Sequence, residues 1–393
     1  MSFFTHLECP KCGNLFSAVE VINFCTCGTS LFARYNLDEA RKQKDKIIDS
    51  KIHSLWRYKN LLPVKDEKNI VTLGEGLTPL LEMPKVGEEL GINNLFIKDE
   101  GKNPSSSFKT RGASVSVSRL KELGVTDIVM SSSGNAGAAW AIYCKRGNIN
   151  AHIFLPEDAS ESTQKECSAV GGDVQLYRGH ISIGSKLVKE AMDVNESWFD
   201  VNTMKEPYRL EGKKTMGYEI AEQFNWDVPD VILYPTGGGV GLIGMWKAFN
   251  ELKEMGLIEF IPKLVCVQYE GCAPLVKAFE EGKNTCQAWG EVDIIPGGMR
   301  STKPFADELV LKALRETLGT AVSVSIQETY DAWMLITSNE GIFCSPEGAT
   351  TIAAAKKLRE SGFIQNTDRT VCFFTASGLK YLPLFGNKLS IKN

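Results

Sequence analysis

The sequence predicts an α/β protein: two doubly wound domains with a cleft between them, plus a small cysteine-bearing piece at the N-terminus. Three observations lead there. Nine short apolar runs recur from residue 95 onward, and helical patterns of about 10–15 residues separate them, as parallel sheets covered on both faces require. Nine strands crowd a single open sheet. The chain has 393 residues, and roughly 150 residues per domain gives two domains and a remainder.

The remainder is the N-terminus. Four of the eleven cysteines, Cys9, Cys12, Cys25 and Cys27, fall in the first 27 residues. Cys9-Pro10-Lys11-Cys12-Gly13 is a metal knuckle, with two thiolates two residues apart and a glycine that lets the loop turn back. Cys25-Thr26-Cys27-Gly28 ends the same way with one residue fewer between its cysteines. About 30 residues bury too little to fold alone, so a tetrahedral zinc on the four thiolates is expected to supply the missing free energy. A ribbon that has lost its metal is the alternative. The other seven cysteines are scattered. Their odd total and the lack of a basic, then apolar, leader in MSFFTHLECPKCG point to a reducing, cytoplasmic compartment.

Residues 38–60 predict a polar helix opened by Asp38, with Ile48, Ile52, Leu55 and Trp56 along one face; Pro63 breaks the pattern beyond it. The predicted strands are 95–98, 127–130, 151–155, 173–177, 198–201, 230–235, 263–268, 321–325 and 370–375. Helices are expected at Glu161–Val170, Leu210–Phe224 and Gly348–Glu360. The balance of 44 Lys+Arg against 48 Asp+Glu gives a net charge of −4. That mild acidity argues against a nucleic-acid partner. No apolar run reaches the roughly 18 residues that span a bilayer, so no membrane role is expected.

In such sheets, ligands sit where strand ends feed helix starts, and four turns stand out. Ser105-Ser106-Ser107-Phe108-Lys109 puts a lysine at a helix start, where the positive dipole end disfavours the ammonium form and favours an amine nucleophile. Ser131-Ser132-Ser133-Gly134-Asn135 offers hydroxyls and N–H groups to a carboxylate, and an amide to a phenolic oxygen. Gly237-Gly238-Gly239-Val240-Gly241 is an anion cradle. It matches neither the P-loop nor the dinucleotide fingerprint, and its shortness suits a single phosphate monoester. Thr375-Ala376-Ser377 places a hydroxyl where it can meet a neutral ring nitrogen. A lysine amine, an amide, a phosphate cradle and a hydroxyl together are what pyridoxal phosphate needs. The four histidines sit in none of these turns, which leaves a Ser/His hydrolase without its base.

At these residues the chain resembles the fold-type-II pyridoxal-phosphate enzymes, tryptophan synthase β-like in fold, and specifically the threonine synthase family. The likeness also runs through Trp56-Arg57-Tyr58, Leu73-Gly74-Glu75-Gly76, Arg209-Leu210-Glu211-Gly212-Lys213-Lys214-Thr215, Asn225-Trp226-Asp227-Val228-Pro229 and Gly378-Leu379-Lys380. The resemblance implies Lys109 as the Schiff-base lysine, Asn135 on the ring oxygen, Gly237 to Gly241 on the phosphate and Thr375 on the pyridine nitrogen. Ser105, Ser106, Ser132 and Ser133 are then substrate-binding. It implies a homodimer. It also implies a large domain from residues 36–110 and 215–393, a small one from 111–214 and the cysteine piece at 1–35. The substrate is then a small amino acid, O-phosphohomoserine, converted with water to threonine and phosphate. Three departures keep two relatives in view, a β-replacement enzyme such as cysteate synthase and a serine/threonine ammonia-lyase. Thr110 stands where the family has Asp. Gly239, Val240 and Leu242 replace a loop that commonly carries Asn. Ser105-Ser106 replaces Thr-Gly.

Overall fold

The protein is described by a computed structural model covering residues 2–132, 134–179 and 181–385. Among the described residues, thirteen strands form three sheets. The N-terminal sheet is antiparallel, in the order β2-β1-β3, from β1 (Phe4–Glu8), β2 (Leu15–Ser17) and β3 (Phe32–Tyr35). The largest sheet joins β4 (Leu80–Glu82) and β5 (Asn94–Asp99) to β10 (Val231–Pro235), β11 (Lys263–Tyr269), β12 (Thr320–Val324) and β13 (Arg369–Phe374). Its order is β12-β11-β10-β13-β5-β4, parallel except for the β4 edge. The third sheet, β8-β7-β6-β9, is wholly parallel. It contains β6 (Asp127–Ser131), β7 (Asn150–Pro156), β8 (Asp173–Tyr177) and β9 (Phe199–Asp200).

Each of the nine predicted strands forms; the central ones read as uninterrupted apolar runs because both their faces are buried. β10 shows why. Ile232 and Tyr234 enter the core beneath the helices Tyr208–Gln223 and Val240–Glu254, whereas Val231 and Leu233 point to the opposite core beneath Ile326–Glu340 and Pro346–Glu360. The three predicted helices form within two residues of their expected ends. Among the described residues no helix is long and apolar enough to cross a membrane.

The helix expected over 38–60 does not form. A short helix, Leu37–Lys42, is capped by Asn36, whose side-chain oxygen accepts from Glu39 N at 3.0 Å. Asp38 is not the cap. The chain then turns back, with Asp49 N donating to Arg57 O at 2.9 Å and Lys51 N to the Asp49 carboxylate at 3.2 Å. Ser54 opens a 3-10 segment, Leu55–Leu61. Side-chain acceptors at Asp49 and Ser54 compete with the helical ladder. Burial of Trp56, whose indole N–H reaches Glu75 and Ser114 at 3.0 Å, fixes the alternative.

Candidate active site

The helix that begins at Lys109 is held from behind by a buried ionic network. Arg111 donates to Glu100 at 2.6 and 2.7 Å and to Glu219 at 2.6 and 2.7 Å. Lys98 donates to Glu219 at 3.0 Å and to Thr78 O at 2.7 Å. All four charged side chains are fully buried. Buried charge is tolerated because every partner is matched and hydrogen-bonded. Burial alone raises the Glu219 carboxyl, but Arg111 and Lys98 hold it down at about 2.

Lys109 projects from this anchor into a cavity of about 270 Å³. Its ammonium nitrogen lies 4.1 Å from the centre of the Phe108 ring. Burial, then the positive charge of Arg209, lowers its pKa to about 8, against a smaller opposing pull from Glu347. Lys213 stacks on the same ring at 4.4 Å. Its burial, then the charge of Lys109, pushes it well below the usual lysine value. The Lys109 charge thus makes the neighbouring Lys213 proton labile.

The glycine turn faces Lys109 across this cavity. Gly239 sits at φ +80° before the helix Val240–Glu254, whose first N–H groups have no acceptor in the helix. Side chains have no room here. A Cβ at Gly237 would lie 2.4 Å from Gly298 O, at Gly239 2.2 Å from Val310 Cγ2, and at Gly241 2.1 Å from the Tyr234 hydroxyl. That hydroxyl and one oxygen of Glu347 are buried without a partner among the described residues. A cradle of backbone donors at a helix start, a lysine of lowered pKa and unmatched polar atoms fit a small phosphorylated cofactor with an aldehyde.

Of the residues predicted from the sequence, the structure brings Lys109, Ser132, Asn135, Gly237 to Gly241 and Thr375 to this one cavity. Ser132 Oγ accepts from Gly134 N at 3.2 Å and Gly137 N at 3.0 Å, closing the turn before the helix Asn135–Gly147. Ser105 and Ser106 are not brought in. The Ser105 hydroxyl bonds Thr110 at 2.5 Å and Ser107 at 3.3 Å, and Ser106 carries φ +52° with its carbonyl on Ser377 N. They shape the turn that aims Lys109. Ser133 lies outside the described residues.

Sequence reasoning missed several residues. Asn135 donates to the Tyr381 hydroxyl at 3.1 Å, and Tyr381 donates to Glu347 at 2.7 Å, so a relay links the small sheet's first helix to the helix Pro346–Glu360. Arg300 and Lys303 also line the cavity, on the loop before Asp307–Glu316. Arg300 bridges to Asp158 at 3.2 Å, on the loop after β7, and Lys380 bridges to Glu166 at 2.6 Å. Both pairs join the large sheet's side of the cleft to the small one's. The Ser345-Pro346-Glu347-Gly348 start was a readable signal, an acid one residue past a proline in a helix's first turn.

The four N-terminal cysteines converge as well. Their sulfurs all lie within 4.8 Å of one another, with Cys9–Cys27 and Cys12–Cys25 at 3.5 Å.

Residues 71–376 match the family described as pyridoxal-phosphate dependent enzyme. The chain is 36% identical to the threonine synthase of Methanocaldococcus jannaschii over 378 residues, covering 95% of this chain and 92% of that protein. The threonine synthase of Methanosarcina acetivorans is 35% identical with the same coverage. Among solved structures, maize serine racemase superposes with a TM-score of 0.67 over 78% of this chain and 91% of its own, at 21% identity, which speaks to the fold. The chain belongs to the pyridoxal-phosphate-dependent enzyme family, with the threonine synthases as its relatives over nearly the whole length.

Proposed function

We propose that the enzyme converts O-phospho-L-homoserine and water to L-threonine and phosphate. The observation that carries this reading is a cation, Arg300, that lines the cavity outside the glycine cradle and whose Nε is buried without a partner among the described residues; Lys303 on the same loop is already paired with Asp307 at 2.7 Å. A substrate with its own phosphate needs a second anion site; serine or threonine does not.

Pyridoxal phosphate, when bound, supplies an electron sink for charge at the substrate's Cα. The chain's residues supply the rest. Gly237 to Gly241 would hold its phosphate, Asn135 its ring oxygen and Thr375 its pyridine nitrogen. Lys109, with its lowered pKa, is suited to take protons from Cα and then Cβ, and to return one at Cγ once phosphate has left and one at Cα once water has added at Cβ. Ser132 and the adjoining helix start orient the substrate carboxylate. Arg300 would stabilise the phosphate as it leaves Cγ, before water adds at Cβ. Burial and the charge of Arg209 keep Lys109 from idling as a protonated spectator. The N-terminal sulfurs are suited to one structural zinc: a tetrahedron with bonds near 2.3 Å sets its ligands roughly 3.8 Å apart.

Incubating purified holoenzyme with O-phosphohomoserine should release phosphate and threonine in equal amounts. Ammonia from serine or threonine, with no phosphate release, would replace this reading with the ammonia-lyase one. Arg300→Ala should raise KM for the phosphorylated substrate about tenfold or more, because a charge-assisted contact is lost.

A further inference from the structure

We infer that the N-terminal ribbon, pinned by zinc on Cys9, Cys12, Cys25 and Cys27, is a clasp that holds two rims of the catalytic cavity in place. It rests on the cofactor reading and goes beyond it.

The metal site is built by two turns that differ as their spacings do. Gly13 N donates to Cys9 O at 3.0 Å, closing the longer knuckle, and Gly28 N donates to Cys25 O at 2.8 Å, closing the shorter one. Gly13 and Gly28 take φ of +73° and +83°, which glycine adopts without strain. Cys12 N also points at Cys9 Sγ at 3.5 Å, a donor that steadies a thiolate. Cys9 and Cys25 are buried and Cys12 and Cys27 exposed, so the metal would sit between the ribbon and solvent.

The ribbon then reaches out in two directions. On one side, Asn23 Nδ2 donates to Asp200 O at 2.6 Å and to Lys205 O at 2.9 Å, and the buried Ser30 hydroxyl donates to Met204 O. These contacts pin both ends of segment 200–205, together with Met204 at φ +65°. Within that segment Thr203 lines the cavity and presses on the cradle: its Cγ2 lies 2.9 Å from where a Gly238 Cβ would stand. On the other side, Phe24 meets Phe305 edge-on at 6.2 Å, and Lys11 pairs with Glu308 at 2.7 Å. Phe305 lines the cavity two residues beyond Lys303. The same small module thus braces the segment behind the phosphate cradle and the loop that carries Arg300 and Lys303. Metal-held turns are rigid, and a rigid module is what an otherwise strained segment such as 200–205 requires.

The test uses intact holoenzyme and two variants that leave every cysteine in place, Asn23→Ala with Ser30→Ala, and Phe24→Ala. Zinc is measured by elemental analysis, pyridoxal-phosphate Kd by titration of the apoenzyme, and KM and kcat separately. Wild type should hold one zinc per chain. The double variant should keep its zinc and its thermal midpoint within a few degrees, while its cofactor Kd rises about tenfold. Phe24→Ala should raise KM several-fold with kcat and cofactor Kd little changed. The cofactor titration contains no amino-acid substrate, so it reads the clasp even if the substrate assignment fails. Wild-type Kd and KM in both variants, or less than a fifth of a zinc per chain in wild type, would overturn the inference. If the double variant does not fold, the KM of Phe24→Ala decides alone.

Discussion

At the scale of single residues, the site is organised around one proton. Lys109 has a pKa of about 8, lowered first by burial and then by Arg209. Its capture of pyridoxal phosphate by the apoenzyme should therefore speed up with rising pH and level off above about 8, not near the 10.5 of a free lysine. Stopped-flow absorbance over pH 6–10 reads the midpoint. Glu347→Gln should move it lower, because the Glu347 carboxylate pulls the other way. Lys109→Ala should abolish turnover while leaving the fold intact, since Arg111, which anchors the helix, is untouched. Thr375 gives a second residue-scale test. A hydroxyl against the pyridine nitrogen leaves the ring a weaker sink than a carboxylate does. Thr375→Ser should be nearly silent, whereas Thr375→Asp should lower net turnover and add long-wavelength absorbance from side reactions. An Asp variant matching wild type in spectrum and products would remove Thr375 from that role.

At the scale of elements, the strand-to-helix turns line the cavity and their backbones are tightly constrained. Gly239→Ala must place a Cβ 2.2 Å from Val310 at φ +80°. The left-handed backbone alone costs about 1–2 kcal/mol, and the clash falls on a buried branched side chain. Cofactor affinity should drop at least tenfold, measured by apoenzyme titration. The elements most legible in the sequence had both faces buried: β10 and β11 read as Val-Ile-Leu-Tyr and Leu-Val-Cys-Val because none of those residues meets water, whereas the exposed edge strand β8 was legible from the alternation in Asp-Val-Gln-Leu-Tyr. Those missed were short or singly supported. β2 and β4 have three residues each, too few for periodicity to register. The expected helix over 38–60 failed because the Asp49 and Ser54 side chains cap short turns within it, while Ile52, Leu55 and Trp56 pack into one cluster with Leu62 and Val64.

At the scale of the whole molecule, the catalytic helix stands on charges that have no access to water. Glu219→Gln would leave Arg111 and Lys98 buried with too little negative charge. A loss of about 3–5 kcal/mol is expected from breaking such a buried pair, read by chemical denaturation. The acid limit has a definite sign. Glu219 is held at about 2 in the folded state against an ordinary 4.5. Its contribution is complete above about pH 4.5 and is lost as pH falls toward 2. The sequence displayed the members of this network, Lys98, Glu100, Arg111 and Glu219, but could not pair them, because they come from elements up to 121 residues apart. The same limit hid Arg300 and Lys303 from the reading of the site. They lie on a loop with no predicted strand before it, so only folding brings them to Lys109. The glycine cradle was legible because its whole function is written in consecutive residues.

The two ion pairs across the cleft have unequal shelter. Arg300 and Asp158 have side chains 34% and 67% exposed, whereas the Lys380 side chain is 5% exposed against Glu166 at 36%. Dissolved electrolyte screens charges at the surface within about 10 Å at 0.1 M and leaves sheltered ones largely alone. Added salt should therefore release the Arg300 end first while Lys380 still holds, so the cleft would gape from one side like a hinged shell. Arg300 freed from Asp158 is also the cation assigned to the substrate phosphate, so moderate salt exchanges a protein carboxylate for the ligand as its partner. Turnover measured against potassium chloride should rise before it falls, and Asp158→Asn should erase the rise.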